Sequence, residues 1–200
     1  MGGRGNAATR GGLTVTEDDW MDWASDPEPF QAVISNEQMP EVSQADGHRY
    51  TKKELDRIRK VAPEIQRMAE EGVVDEHTLF RGESFDSLLE ARRKYKIGKV
   101  ITNDKMTSYA VNPDIAKSYA EGNIDFKGKD AVKVVITNTN INPKVSGFVG
   151  IRTDPLGAGG SNEIISPRGM KSKVVNTYFD ENESTLYVRM ETTASPKRRK

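Results

Sequence analysis

Cysteine is absent from the 200 residues, and histidine occurs only at positions 48 and 77. These absences exclude disulfide bonds, thiol nucleophiles and cysteine-bound zinc. The two histidines are far apart and show no ligand spacing, so we predict no metal. No apolar run approaches the roughly 20 residues of a membrane span, and the amino terminus lacks the apolar region of a signal peptide. We therefore expect no membrane partner, and a protein that is cytoplasmic or delivered into a host cytoplasm.

The formal net charge is zero, but the two signs are separated along the chain. Residues 1–47 hold nine acidic and two basic residues, which leaves 28 basic and 21 acidic residues for positions 48–200. We predict a flexible acidic arm at 1–47, a folded domain at 48–191 and a basic tail at 192–200.

Both tryptophans of the chain, Trp20 and Trp23, lie in the predicted arm. Two interpretations follow from this placement. The arm is a solvated linker with one helical turn, or it docks through its tryptophans onto the basic body or onto a partner.

The remaining chain begins with a helical pattern and continues as short strands. Thr51 and Glu54 have the spacing of a capping box, and Pro63 is expected to divide the pattern at 51–71 into two short helices. Further helices are predicted at 87–95 and 112–121, and strands at 78–81, 99–102, 131–137, 163–166, 173–179 and 185–190, the last two as a hairpin. Helices followed by mostly antiparallel strands indicate an α+β fold.

Three segments carry side chains suited to chemistry. Arg81 ends an apolar strand and precedes Gly82, which suits the binding of phosphate or carboxylate. Ser108 and Tyr109 lie just before a helix capped by Asn112, so two hydroxyls are expected near a helix N-terminus that favours an anion. Glu163 opens an apolar strand after a glycine-rich loop, where one carboxylate suits the stabilisation of a developing positive charge.

In this order the three segments resemble the signature of the ADP-ribosyltransferases of the arginine, Ser-Thr-Ser and Glu-x-Glu class, which includes bacterial toxins and phage-encoded enzymes. The resemblance covers about residues 76–180 and includes the ending Glu-Ile-Ile-Ser-Pro-Arg-Gly from Glu163. It implies a helical segment followed by two packed antiparallel β-sheets that form a cleft for NAD.

The resemblance also implies a role for each matching residue. Arg81 would contact the NAD phosphates, and Gly82 would give access to the backbone. Ser108 would hold the nicotinamide pocket and contact the ribose, with Tyr109 beside it. Glu163 would bind a hydroxyl of the nicotinamide ribose and stabilise the positive charge as nicotinamide leaves.

Two positions depart from the family pattern. The Ser-Thr-Ser motif reads Ser108-Tyr109-Ala110 here, and Ser161 stands where arginine-modifying members carry glutamate. That position orients or activates the acceptor, so Ser161 joins Glu163 as a candidate catalytic residue. A serine cannot serve as the carboxylate that deprotonates a guanidinium, which argues against arginine as the acceptor.

The sequence thus predicts an NAD-dependent mono-ADP-ribosyltransferase that acts on a macromolecule, with protein favoured over nucleic acid as the acceptor. Two alternatives stay open, an NAD glycohydrolase and a catalytically inactive binding or structural module of the same fold. If the acidic arm covers the cleft, deletion of residues 1–47 is expected to raise NAD turnover.

Overall fold

Three helices form the amino-terminal part of the computed structural model, which describes residues 13–72, 78–139, 148–150 and 163–194. They are α1 (Glu17–Ser25), α2 (Glu28–Ser35) and α3 (Lys52–Glu71). The predicted capping box of α3 is confirmed, because Thr51 and Glu54 bind each other's backbone N–H groups. Thr16 and Asp19 begin α1 in the same way.

The first two helices pack against the third. Trp20, Trp23 and Phe30 are at most 5% exposed, and they share a core with the apolar face of α3, namely Ile58, Val61, Ala62, Ile65, Met68 and Ala69. The prediction of a flexible arm is therefore wrong for residues 13–47, since burial of two indole rings favours a packed segment. Residues 1–12 lie outside the described part, and the domain limits at 47 and 191 stay predictions.

Helix α3 continues through Pro63, although two separate helices were predicted. Proline removes one intrahelical hydrogen bond and strains the preceding turn, at a cost of about 3 kcal/mol. Its ring lies on the exposed side of the helix, whereas Val61 and Ile65 on either side are fully buried. Burial of such side chains stabilises by about 2 kcal/mol each, and this keeps one continuous helix.

Eight described strands follow in a single hydrogen-bonded order, β2-β7-β8-β4-β1-β3-β6-β5. The helices α4 (Leu88–Lys94) and α5 (Pro113–Ile124) lie between strands in the chain. The strands are β1 (Thr78–Phe85), β2 (Val100–Thr102), β3 (Thr107–Ala110), β4 (Val132–Thr139), β5 (Phe148–Gly150), β6 (Glu163–Ser166), β7 (Lys171–Asp180) and β8 (Thr185–Ala194).

The α+β class is confirmed, and the sheet divides into two parts at one weak link. The link between β1 and β3 consists of the single register pair Phe80 and Ala110, with five strands on one side and three on the other. Pairing is antiparallel except between β4 and β8, which run parallel. The predicted strands and the hairpin formed by β7 and β8 are confirmed, whereas α1, α2 and β5 were not predicted as such.

Helix α5 lies so close to β1 that only glycine fits at position 82. A Cβ atom there would stand 1.8 Å from the carbonyl oxygen of Ala116 and 2.8 Å from the backbone nitrogen of Ala120. Ala116 and Ala120 are themselves fully buried. The glycine of the Arg81-Gly82 motif thus sets the distance between helix and strand.

We expect Gly82→Ala to lower the free energy of unfolding by roughly 2 kcal/mol, because the added methyl group forces α5 away from the sheet. Gly122→Ala in the same helix is the matched control, since a Cβ there meets no atom within 4 Å. Alanine at position 122 should stabilise the helix slightly. Urea denaturation of both variants checks the difference, and equal stabilities would contradict the packing role of Gly82.

Candidate active site

One cavity of about 340 Å³ collects most of the residues that the sequence analysis selected. It lies between α1, α2, α5 and strands β1, β3 and β6. Its lining includes Arg81, Gly82, Ser108, Tyr109 and Glu163. The volume falls in the range of small-molecule pockets. Ser161, the other candidate catalytic residue, lies outside the described residues.

Arg81 is held at the cavity by contacts to two strands. Its Nη1 donates to the backbone oxygen of Ser108 at 2.9 Å, and its Nε donates to Oε1 of Glu83 at 3.1 Å. The side chain keeps a third of its surface exposed. The guanidinium is therefore fixed in orientation and still accessible to an anion.

Glu83 is a site residue that the sequence analysis missed. Its carboxylate is 17% exposed and also accepts hydrogen bonds from Tyr95 at 2.5 Å and from Lys94 at 3.4 Å. Burial raises the pKa of Glu83, but the positive charges of Arg81 and Lys94 lower it by more than burial raises it. The net pKa of Glu83 is therefore below its ordinary value. Arg81 and Glu83 are two residues apart on a strand and share a face, a spacing that could have identified the pair.

Tyr109 forms part of the cavity wall, but its hydroxyl is bound elsewhere. The phenol oxygen accepts a hydrogen bond from Nδ2 of Asn138 at 3.3 Å, within a buried polar group that also contains Ser172 and Thr192. Burial raises the pKa of Tyr109. The expected pair of hydroxyls beside a helix N-terminus is therefore not formed, because the Tyr109 hydroxyl is hydrogen-bonded to Asn138 in the core.

The N-terminal turn of α5 borders the cavity through Ile115 and Ala116. Tyr119 and Asn123 line the cavity from later turns of the same helix. The first turn carries Asp114, whose backbone N–H is already bound by the side chain of Asn112 at 2.9 Å. That this helix end binds an anion stays a prediction, with Ile115 and Ala116 of its first turn at the cavity wall.

The amino-terminal helices supply the opposite wall. Trp23, Ala24, Pro27 and Gln31 line the cavity across from β1 and β3. The amide of Gln31 donates to the backbone oxygen of Met106 at 2.7 Å and accepts from its N–H at 2.9 Å. These two bonds join α2 to the residues just before β3, and nothing in the sequence pattern indicated them.

A second cavity of about 790 Å³ adjoins the first. Glu83, Lys94 and Tyr95 line it from the face of the sheet that packs on α4. The two cavities share Pro27, Gln31, Arg81, Met106 and Tyr109. Arg81 thus stands where they meet, and one extended ligand could contact residues of both.

Among the described residues, no group of three or more histidine, aspartate or glutamate side chains is placed to hold a metal ion. In the same part of the chain, no helix combines the length and apolar character required to cross a membrane.

Several solved structures have a similar fold. The Vis toxin, an ADP-ribosyltransferase from Vibrio splendidus, aligns with a TM-score of 0.54 and 14% identity over 90% of this chain and 75% of its own. The ATR domain of Salmonella SpvB aligns with a TM-score of 0.53 and 12% identity, over 88% of this chain and 96% of its own. The C3larvin toxin, an ADP-ribosyltransferase from Paenibacillus larvae, aligns with a TM-score of 0.50 and 15% identity, over 92% of this chain and 90% of its own.

No family model and no curated protein sequence matches the chain. The likeness is therefore one of backbone architecture, at identities too low to carry residue roles across. It agrees with the α+β fold and the helical amino-terminal part described above. The chain has the fold of the ADP-ribosyltransferase toxins.

Proposed function

We propose that the protein is an NAD-dependent mono-ADP-ribosyltransferase that transfers ADP-ribose to a macromolecular acceptor, protein rather than nucleic acid, with release of nicotinamide. One observation carries the proposal. Arg81, Ser108 and Glu163 are separated by up to 82 positions in the sequence, and all three line a single cavity. The fold likeness to toxins of this activity supports it.

The residues present fit NAD. Arg81 is an oriented and accessible guanidinium, which suits the pyrophosphate. The cavity beside it provides apolar walls from Phe80, Ile115 and Ala116, which suit a flat nicotinamide ring. The adjoining larger cavity leaves room for the rest of a dinucleotide.

NAD supplies a glycosidic bond whose cleavage releases neutral nicotinamide and leaves the ribose carbon open to an acceptor. Glu163 is the carboxylate that we assign to stabilise positive charge at that carbon. We assign the Ser108 side chain to contact the ribose, and its backbone oxygen accepts a hydrogen bond from Nη1 of Arg81. The proton of the acceptor passes to solvent or to a basic group, and Ser161 is the residue that we assign to position the acceptor.

Water as the acceptor is the second candidate, which would make the protein an NAD glycohydrolase. The observation that favours it is the serine at position 161, which cannot act as a carboxylate base toward an acceptor.

Calorimetric titration of the full chain with NAD, combined with an assay of nicotinamide release, tests the proposed function. Binding together with release supports it. Absence of binding would overturn it and favour an inactive module of this fold.

Glu83 adds a prediction about NAD affinity. We expect Glu83→Gln to raise the KM for NAD about tenfold with little change in kcat, because Arg81 loses its charged partner and its fixed orientation. Glu83→Asp should recover part of the affinity. Glu90→Gln, at an exposed carboxylate on α4, is the control and should leave KM unchanged. An equal KM in all four proteins would contradict the positioning role of Glu83.

The carboxylate of Glu83 also gives this contact a pH dependence. Because its pKa is depressed in the folded protein, its stabilising contribution is present above the ordinary carboxyl pKa and is lost as the pH falls through the lower, folded value. We therefore expect NAD affinity to be insensitive to this group at neutral pH.

A further inference from the structure

The positive charge of the chain is concentrated where β2 and β7 pair. Residues 91–103 contain five basic residues and residues 164–179 contain three, and neither segment contains an acidic residue. Val100 pairs with Lys173, and Thr102 pairs with Lys171, so the two segments are adjacent in the sheet. The rest of the chain holds all 30 acidic residues and only 22 basic ones.

All eight of these cations are exposed, and among the described residues only Lys94 forms an ion pair, with Glu83. Arg168 and Lys99 donate to the backbone oxygens of Asp104 and Arg93. Helix α4, which carries Arg92 and Arg93, packs on the face of the sheet that bears Val174, so these two arginines do not share a face with Lys171 and Lys173.

A β-bulge places an amide and an aromatic ring in line with two of these cations. Lys171 and Lys173 are exposed on the face of β7 opposite the buried Ser172 and Val174. The register then shifts between Val174 and Asn176, so that Asn176 and Tyr178 lie opposite Arg189 and Tyr187 of β8. Without this shift, the alternation of a strand would turn Tyr178 to the other face.

The resulting row along β7 is Lys171, Lys173, Asn176 and Tyr178, about 23 Å long at the rise of a strand. Tyr178 is 63% exposed, and its ring stacks on Tyr187 at 6.4 Å. Glu191 is the acidic residue opposite Lys173, and its Oε1 lies 3.8 Å from Nη2 of Arg189.

We propose that this row binds single-stranded nucleic acid. Unpaired lysines neutralise phosphates, an asparagine amide can bond to base edges, and an exposed tyrosine ring can stack with an unpaired base. An acidic protein surface would use the cations but not the aligned amide and ring. An anionic membrane would require more apolar surface than Ile97 and Val100 expose here.

This surface is distinct from the proposed NAD site. Helix α5 stands between them, with Tyr119 lining the cavity and the ammonium of Lys117 lying 5.9 Å from the ring of Tyr187. Nucleic acid bound along β7 would therefore flank the cavity without entering it. The inference does not depend on turnover of NAD.

Fluorescence anisotropy of the full chain with a labelled, short single-stranded oligonucleotide, at several KCl concentrations, tests the proposal. We expect the double variant Lys171→Gln, Lys173→Gln to bind about tenfold more weakly. The slope of log affinity against log salt should fall by about 1.4, since each contact to a single-strand phosphate contributes about 0.7. Tyr178→Ala should weaken binding about tenfold and leave the slope unchanged.

The control is the double variant Lys52→Gln, Lys53→Gln, which removes the same charge from exposed residues at the start of α3. Unchanged affinity of this control supports a local surface, and an equal loss would overturn the proposal in favour of net charge. Binding of anionic phosphatidylserine vesicles without binding of the oligonucleotide would also overturn it. All variants are at exposed positions, and circular dichroism verifies that they fold.

Discussion

Replacing Glu163 by glutamine is expected to lower the release of nicotinamide from NAD by about 10²–10³-fold, with NAD binding retained. Glu163 is the first residue of β6 and pairs with Ala110 of β3 at the wall of the cavity. An amide keeps the shape of the side chain and its hydrogen-bonding capacity but lacks the negative charge. The loss should therefore fall on kcat rather than on the affinity for NAD.

Glu121→Gln is the control for this variant. Glu121 is an exposed carboxylate on α5, the helix that forms one wall of the cavity, and it lies 3.8 Å from Lys133. Its removal should leave both the rate and the affinity unchanged. A Glu163→Gln protein as fast as the unaltered chain would remove Glu163 from the reaction.

The second large effect concerns the amino-terminal helices. We expect Asp19→Ala to lower the free energy of unfolding by about 2 kcal/mol, because it removes the partner of Arg57 and breaks the capping box of α1. The Asp19 side chain is 7% exposed and accepts from Nε and Nη2 of Arg57 at 2.9 and 2.6 Å. Arg57 also donates to the backbone oxygen of Thr14.

Asp56→Ala is the matched control. Asp56 pairs with Arg59 on the surface of α3, the helix that also carries Arg57, and both side chains are about half exposed. Its effect should not exceed about 1 kcal/mol.

The contacts of Asp19 also make its contribution depend on pH. Burial raises the pKa of Asp19, but its bonds to Arg57 and Thr16 lower it by more, so the net pKa lies below the ordinary value. Stabilisation by Asp19 is thus present above pH 3.8 and is lost as the pH falls through the folded pKa. Equal urea midpoints for the two variants would contradict the account.

The same contacts change the expected result of deleting residues 1–47. If the arm were a removable cover, its deletion was expected to raise NAD turnover. Trp23 and Gln31 instead form a wall of the cavity, and Trp20, Trp23 and Phe30 belong to the core of α3. We now expect the deletion to expose that core and to lower turnover.

The parts of the fold that were predictable are those with local causes. The capping box at Thr51, the turn at Asn112 and the short β-rich runs each depend on neighbouring residues, and all were found near their predicted places. The cavity residues were found because the family resemblance selected Arg81, Ser108 and Glu163 together.

The remaining features depend on contacts that are distant in sequence. Pro63 is tolerated because α1 and α2 cover the other side of the helix. The contacts of Gln31 with Met106, of Tyr109 with Asn138, and the parallel pairing of β4 with β8 arise only when the chain is folded. The bulge at Val174 and Asn176 likewise decides which side chains share a face with Lys173.

Transfer of labelled ADP-ribose tests the central claim most directly. The full chain is incubated with NAD labelled in the adenylate half and with a cell lysate, with the Glu163→Gln protein in parallel. We expect label attached covalently to protein, identified by mass spectrometry, and no such label with the variant. Free ADP-ribose as the sole labelled product would contradict transfer to a macromolecule, and intact NAD would contradict the assignment of the cavity.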